Sequence, residues 1–320
     1  MVEVLRTPFF GLGWRSMKVL VVHTSPPERI AAGRQARELD LEGAARGIAA
    51  VLPEAVLARV RGEPRELLAL LDEHAPDVVY NVCEAPLGRP DLEAHVAALF
   101  EWTGVRFTGS GSETLALCRR KDRVAPVLAA AGLPVPPTGG FPCIVKPASE
   151  DGSVGIDGES VCADAAALAR ACARAHGTVV IEDFLPGREF VVSLWGAFGP
   201  EHVSVGEICF RNGLRLMTYA AKWDAESADY EDSPLTYRFD LDEGTEEALI
   251  AAARGAWRAV GARGCLRVDL RLDARGEPRI LDVNPNPAFG PDVGIQRAAG
   301  EAGWTWERFV RAQIAWAVAR

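Results

Sequence analysis

Leu266-Arg267-Val268-Asp269-Leu270-Arg271-Leu272, then Asp273-Ala274-Arg275-Gly276, then Ile280-Leu281-Asp282-Val283-Asn284-Pro285-Asn286-Pro287 decide how this chain is read. The first run alternates apolar and charged residues. As a strand it places Arg267, Asp269 and Arg271 on one face and the leucines and valine on the other. The turn at 273–276 brings back a second strand on which Asp282 and Asn284 point the same way. Such a hairpin presents Asp269, Asp282 and Asn284 as an all-oxygen cluster, the donor type Mg²⁺ prefers. A solvated hairpin face would carry the same charges, and the alternation alone leaves both readings open. The proline-locked turn favours the metal: the chain holds four asparagines, and two stand directly after the second acidic strand.

Three other stretches carry chemistry. Cys143-Ile144-Val145-Lys146 reads as a short strand ending in a cation. The loop Ser149-Glu150-Asp151-Gly152-Ser153-Val154-Gly155 follows it, and its backbone amides can approach a phosphate closely or form an ordinary turn. No P-loop occurs, and Gly109-Ser110-Gly111 lacks the third glycine of a dinucleotide fingerprint. Glu182-Asp183-Phe184-Leu185-Pro186-Gly187-Arg188-Glu189 ends a strand. It reads either as an acidic connector or as a base-reading strand end followed by a carboxylate for ribose hydroxyls. Lys222, in Tyr219-Ala220-Ala221-Lys222-Trp223, reads in isolation as a solvated cation packed on an aromatic face.

The rest of the chain sets the fold class. Met17-Lys18 followed by Val19-Leu20-Val21-Val22-His23 reads as the first strand, so residues 1–16 are expected to be a disordered arm or a start-site artefact. Helical spacing at Leu41, Ala45, Ile48 and Leu52, a short helix at 67–71, a strand at 77–81 and a helix at 92–102 predict an open, mostly parallel α/β unit. A helix over 115–131 closes at Gly132. A smaller α+β module follows to Glu182. After Asp183 come antiparallel strands, a polar loop at 222–233, a helix near 246–260, the hairpin and a terminal helix.

Composition excludes several function classes. The 320 residues carry a formal charge of −9 with no basic stripe, which argues against nucleic acid. No apolar run reaches membrane-helix length and no signal peptide is recognisable, so a cytoplasmic protein with no membrane partner is expected. Seven dispersed cysteines without a CxxC pair read as reduced, buried hydrophobes, with a nucleophilic cysteine as the lesser alternative. The five histidines form no HExxH or HxxxH pair.

Taken together, Lys121 after the Thr-Gly-Ser-Gly segment, Ile144-Val145-Lys146-Pro147, Ile181-Glu182 with Gly187-Arg188-Glu189-Phe190, Ala221-Lys222-Trp223, Arg267-Val268-Asp269 and Asp282-Val283-Asn284-Pro285 resemble the motif series of the ATP-grasp ligases. The D-alanine:D-alanine ligase branch is the most similar. The resemblance runs from about Val19 to the C-terminus. It implies an N-terminal α/β domain at 17–109, a central ATP-grasp subdomain at 110–182 and a C-terminal catalytic subdomain at 183–320. It also implies that Lys121 and Lys146 contact ATP phosphates, that Ser153 caps the loop over them, that Glu182, Asp183 and Leu185 address adenine, and that Glu189 meets the ribose. Lys222 would lie near the γ-phosphate and Arg267 would stabilise a tetrahedral intermediate. Asp269, Asp282 and Asn284 would hold two Mg²⁺ ions, with Mn²⁺ as a substitute. The implied activity is ADP-forming joining of a small-molecule carboxylate to an amine through an acyl phosphate, by a homodimer. The alternative is a nucleotide-binding regulatory protein that keeps the fold without turnover.

Departures from the family pattern concern the substrate. In place of the family's His-Gly and Gly-Glu-Asp-Gly segments stands Asn81-Val82-Cys83-Glu84-Ala85-Pro86-Leu87-Gly88-Arg89-Pro90-Asp91. The loop tyrosine is Trp223, its serine partner falls on Gly152, and the serine for the second carboxylate falls on Val293, beside Asp292. Glu84, Trp223 and Asp292 are therefore the candidate substrate residues, and a product other than D-alanyl-D-alanine is expected. The nucleotide side shows no such drift. Of the basic residues 31 are arginine and four are lysine, and three of those lysines, Lys121, Lys146 and Lys222, fall on the phosphate positions.

Overall fold

A computed structural model describes residues 17–25, 41–52, 54–211, 213, 215–224, 226–289 and 294–319; the expected arm at 1–16 lies outside them. The first sheet contains β1 (Val19–Thr24), β2 (Val56–Val60), β3 (Val78–Val82) and β4 (Arg106–Phe107) in the order β2-β1-β3-β4. Every pairing in it is parallel. Helices α1 (Leu41–Ala50), α2 (Pro64–His74) and α3 (Glu93–Thr103) connect and cover it. All six residues of β1 are buried because both faces are covered. Val19 and Val21 pack with Ala45 and Ile48 of α1, while Leu20 and Val22 pack with Leu67 of α2 and Phe100 of α3. The sequence reading does not include β2, whose Val56 and Leu57 are exposed at the sheet edge and give no buried-strand signature.

The single helix expected over 115–131 is two helices, α4 (Ser112–Cys118) and α5 (Lys121–Ala130). Arg120 is extended between them, and the Lys121 N–H donates to Ala148 O at 2.8 Å instead of continuing α4. The break anchors Lys121 to the end of the next strand. That strand, β5 (Cys143–Pro147), is central in an antiparallel sheet with β6 (Val161–Cys162) and β7 (Val179–Asp183). Between β6 and β7, helix α6 (Ala165–Arg174) starts where the Asp164 carboxylate accepts from Ala167 N at 2.8 Å.

The third sheet is built from β8 (Glu189–Gly196), β9 (His202–Ile208), β10 (Leu235–Thr236), β11 (Gly264–Leu272) and β12 (Pro278–Asn284), in the order β10-β9-β8-β11-β12. Short helices α7 (Tyr219–Trp223) and α8 (Ala228–Glu231) precede β10, and α9 (Glu243–Val260) covers one face. Leu249, Ala253 and Ala256 of α9 meet Val192 and Leu194 of β8 and Leu266, Val268 and Leu270 of β11 in the largest core. The opposite face carries the charged side chains of the hairpin. Two terminal helices follow, α10 (Gly294–Glu301) and α11 (Trp306–Val318). Helix α11 returns to the first sheet, where Val310 and Ile314 pack with Val21 and Tyr80. Among the described residues no helix is long and apolar enough to cross a membrane.

The hairpin departs from strict alternation at one point. Asp269 pairs with Asp282, but Leu270 pairs with Ile280, so Leu281 is a bulge residue. Ile280 therefore joins the core while Leu281 and Asp282 face the opposite side. Leu194 is fully buried under this face. Truncation by Leu194→Ala is expected to cost about 2–5 kcal/mol, read as a lower denaturant midpoint with unchanged slope; an unchanged midpoint would contradict the packing described.

Candidate active site

A cavity of about 700 Å³ opens between the three-stranded and five-stranded sheets. It brings together Lys121, Lys146, Ser153, Asp183, Leu185, Glu189, Lys222, Arg267, Asp269 and Asp282, ten of the residues singled out from sequence. Glu182 and Asn284, like Glu84, do not line it. Glu182 is buried and accepts from Lys146 Nζ at 2.6 Å, and Asn284 Oδ1 accepts from Asn286 N at 2.9 Å. Trp223 ends α7 with its side chain outside the described residues, and Asp292 and Val293 lie outside them altogether.

The hairpin supplies the charged floor. Arg267 donates to both oxygens of Asp269, at 2.8 and 2.9 Å, and Lys121 Nζ lies 3.6 Å from Asp282. Burial opposes ionisation of Asp282, but Lys121, Arg267, Lys222 and Lys146 outweigh it and hold the carboxyl below its usual range. Lys222 moves the other way: burial and then Arg267 lower its ammonium to about 8, against the pull of Asp269 and Asp282. Lys121 also holds the glycine loop, donating to Glu150 O at 2.7 Å and Asp151 Oδ1 at 3.2 Å, while Arg119 donates to Asp151 Oδ2 at 2.6 Å. Ser153 adopts φ 63°, between Gly152 at 65° and Gly155 at 75°, a left-handed run uncommon outside glycine that turns the loop over the cavity. Sequence alone gave no signal for Arg119 and Asp151, because their roles depend on the α4–α5 break.

Among the described residues no third acidic, histidine or cysteine side chain joins Asp269 and Asp282 as a metal cluster. Two opposed carboxylates suit Mg²⁺, which takes its remaining ligands from water and phosphate oxygens. They do not suit a zinc-type site, which takes nitrogen and sulfur donors.

At the other end, Asp183 is fixed by Gly140 N at 2.7 Å, and Leu185 gives an apolar wall. Glu189 is raised to about 7 by burial, against the opposing charge of Arg271 3.3 Å away.

Glu84 lies outside the cavity lining, at the end of β3, where the Thr24 hydroxyl donates to its carbonyl. Burial, then the nearby charges of Glu93 and Asp151, raise its carboxyl to about 8. Glu93 is raised to about 7 by burial, although Asn286 Nδ2 donates to it at 2.5 Å. Glu93 is absent from the sequence reading because an acid in a first helical turn has an ordinary helix-dipole explanation.

The chain is similar to solved structures and to curated relatives. The D-alanine–D-alanine ligase from Bacillus anthracis, in a structure described as complexed with ATP, matches over 95% of this chain and 98% of its own, with a TM-score of 0.73 at 16% identity. The fold is thus the ATP-grasp fold, a parallel α/β unit followed by antiparallel modules. Residues 131–315 match the family model described as D-ala D-ala ligase C-terminus. The D-alanine–D-alanine ligase of Stutzerimonas stutzeri (strain A1501) is 31% identical over 86% of this chain and 88% of its own length; that of Anaeromyxobacter sp. (strain Fw109-5) is 32% identical over 74% and 79%. The chain belongs to the D-alanine–D-alanine ligase family, and it is an ATP-dependent ligase that forms a C–N bond.

The raised carboxyl of Glu84 fixes a pH dependence. The folded state keeps its proton to about 8 while the unfolded chain releases it near 4.5, so this contribution is complete below 4.5 and is lost as pH rises to about 8. Glu84→Gln is expected to flatten that fall in denaturation midpoints; an unaltered pH profile would contradict the burial of this group.

Proposed function

We propose that this ligase joins the carboxylate of one amino acid to the amine of another, releasing ADP and phosphate through an acyl phosphate. The observation that carries the reading is the convergence of three lysines and Arg267 on opposed Asp269 and Asp282 in one cavity. A carboxylate is a poor acyl donor. Attack of its oxygen on the γ-phosphorus, with ADP leaving, makes it a good one. Lys121, Lys146 and Lys222 offset the negative charge that gathers there. The amine then attacks the acyl carbon, Arg267 meets the oxyanion, phosphate departs and the amine gives up its proton. Asp269 and Asp282, joined by Asn284 only through a second lone pair of the Oδ1 that accepts from Asn286 N, would hold two Mg²⁺ ions, or Mn²⁺, which when bound neutralise β- and γ-phosphate charge. The loop 149–155 excludes water from the acyl phosphate. Glu189 accepts from the ribose hydroxyls, and Asp183 and Leu185 border the base. Glu182, already engaged by Lys146, fits the positioning of that lysine better than direct contact with adenine.

At the expected substrate positions the sequence departs from the family's motif pattern. Val293 stands where a carboxylate-binding serine is expected, and an anion left unpaired there costs about 1–3 kcal/mol or more. With Gly152, Trp223 and Glu84 also altered, the favoured pair is not D-alanine with D-alanine.

Phosphate release is the test. With ATP and Mg²⁺, D-alanine alone is expected to stimulate release less than a pool of other amino acids. A maximal rate with D-alanine alone would overturn the altered pocket, and no stimulation by any pool would overturn amino acids as the substrate class. Asp282→Asn is expected to lower turnover about 10–100-fold while moving the unfolding midpoint far less; an unchanged rate at limiting Mg²⁺ would contradict its assignment.

A further inference from the structure

Arg271 is a buried charge to which the reaction gives no task. Its side chain is 3% exposed, and it lines the cavity beside Glu189, Leu185 and Phe184. Nε donates to Gly187 O at 3.1 Å and Nη1 to Glu189 Oε2 at 3.3 Å. The guanidinium lies 4.9 Å from the Phe184 ring centre and 5.5 Å from that of Phe210. Among the described residues the remaining nitrogen, Nη2, is buried without an acceptor. Gly187 fixes the carbonyl that anchors Nε: a Cβ there would come within 2.4 Å of Leu272 O, so the backbones of 187 and β11 are in close contact.

Stability does not explain this arrangement. Two phenylalanine rings offer a slot that an unbranched apolar side chain would fill, and replacing a buried ion pair by apolar residues of similar size is often neutral or stabilising. An uncapped guanidinium N–H adds a further penalty. Both features make sense if the pair is completed by a ligand that brings a hydroxyl to the cavity wall.

We propose that Arg271 is a positioning residue for nucleoside recognition, clamping the Glu189 carboxylate toward the ribose and making the vicinal diol the feature by which this site holds its nucleotide. The inference rests on the reading that Glu189 meets the ribose. Glu189 is faced by Arg271 and Asp269 from β11, Lys146 from β5 and Lys222 from α7. Arg271 is the member of that set within ion-pair distance. The two lysines belong to the phosphate end, so the sugar end depends on Arg271. A ribose hydroxyl would donate to Glu189, and a ribose oxygen would supply the acceptor that Nη2 lacks.

The test uses the full chain and two probes, ADP and 2′,3′-dideoxy-ADP, with binding measured by calorimetry in Mg²⁺ buffer. The unaltered protein is expected to bind ADP about tenfold or more tighter than the dideoxy analogue, the scale of hydrogen bonds to a charged group. Arg271→Met should bring that ratio close to one by weakening ADP alone, leaving dideoxy-ADP affinity within about twofold. Arg271→Lys, which keeps the charge but not the fork, should restore part of the preference. A ratio preserved in Arg271→Met, or equal weakening of both nucleotides, overturns the inference. Glu189→Gln separates it from its premise: if that variant keeps the full preference, the ribose reading itself fails. Should Arg271→Met not fold, Arg271→Gln decides by the same ratio.

Discussion

Asp269 and Asp282 stand directly opposite each other on adjacent strands inside a cavity, and the rest of the site follows from what that costs. Like charges in register across a ladder repel, and burial removes the water that would screen them. The cations around them are the answer. Arg267 takes Asp269 with both ends of its fork, Lys121 approaches Asp282, and Lys222 and Lys146 add to the field. A set of cations gathered to hold two carboxylates is also a set that attracts a polyphosphate. On the proposed reading, nucleotide binding would be an exchange of partners for Lys121, whose ammonium donates to Asp151 and to Glu150 O.

The scaffold makes this arrangement stiff where chemistry needs it. β11 is an inner strand between β8 and β12, with Leu266, Val268 and Leu270 sealed under α9, so the charged side chains on its other face share one rigid base. Lys146 is held by Glu182 on the neighbouring strand of the three-stranded sheet, and Lys121 by the helix break and its backbone bond to Ala148. The loop 149–155 connects to this frame through Asp151 and Glu150 O, whose partners Arg119 and Lys121 both stand at the α4–α5 junction. On the proposed reading, engagement of the phosphates by Lys121 would therefore be coupled mechanically to this loop through Asp151.

Much of this was legible before any coordinates. Period-two alternation in β11 correctly placed Arg267, Asp269 and Arg271 on one face, and the scarcity of lysine marked Lys121, Lys146 and Lys222, all of which line the cavity. What escaped was tertiary. The bulge at Leu281 has no local signature, so alternation alone does not show Ile280 turning into the core. The break before Lys121 is invisible because Arg119 and Arg120 are good helix formers, and a backbone bond to Ala148 overrides them. The exposed edge strand β2 reads as surface, and the ion pair that engages the Glu182 side chain with Lys146 joins strands far apart in sequence. Arg271 was placed on the correct face, but its contacts with Glu189, Phe184 and Phe210 join segments far apart in sequence.

The central claim is that a carboxylate oxygen attacks phosphorus in this cavity. The measurement that bears on it most directly follows oxygen. Turnover of amino acids labelled with ¹⁸O in the carboxyl group, in unlabelled water, is followed by mass spectrometry of the released phosphate. An acyl-phosphate route transfers one labelled oxygen from substrate to phosphate in each cycle. Phosphate that stays unlabelled while amide product accumulates would contradict that route.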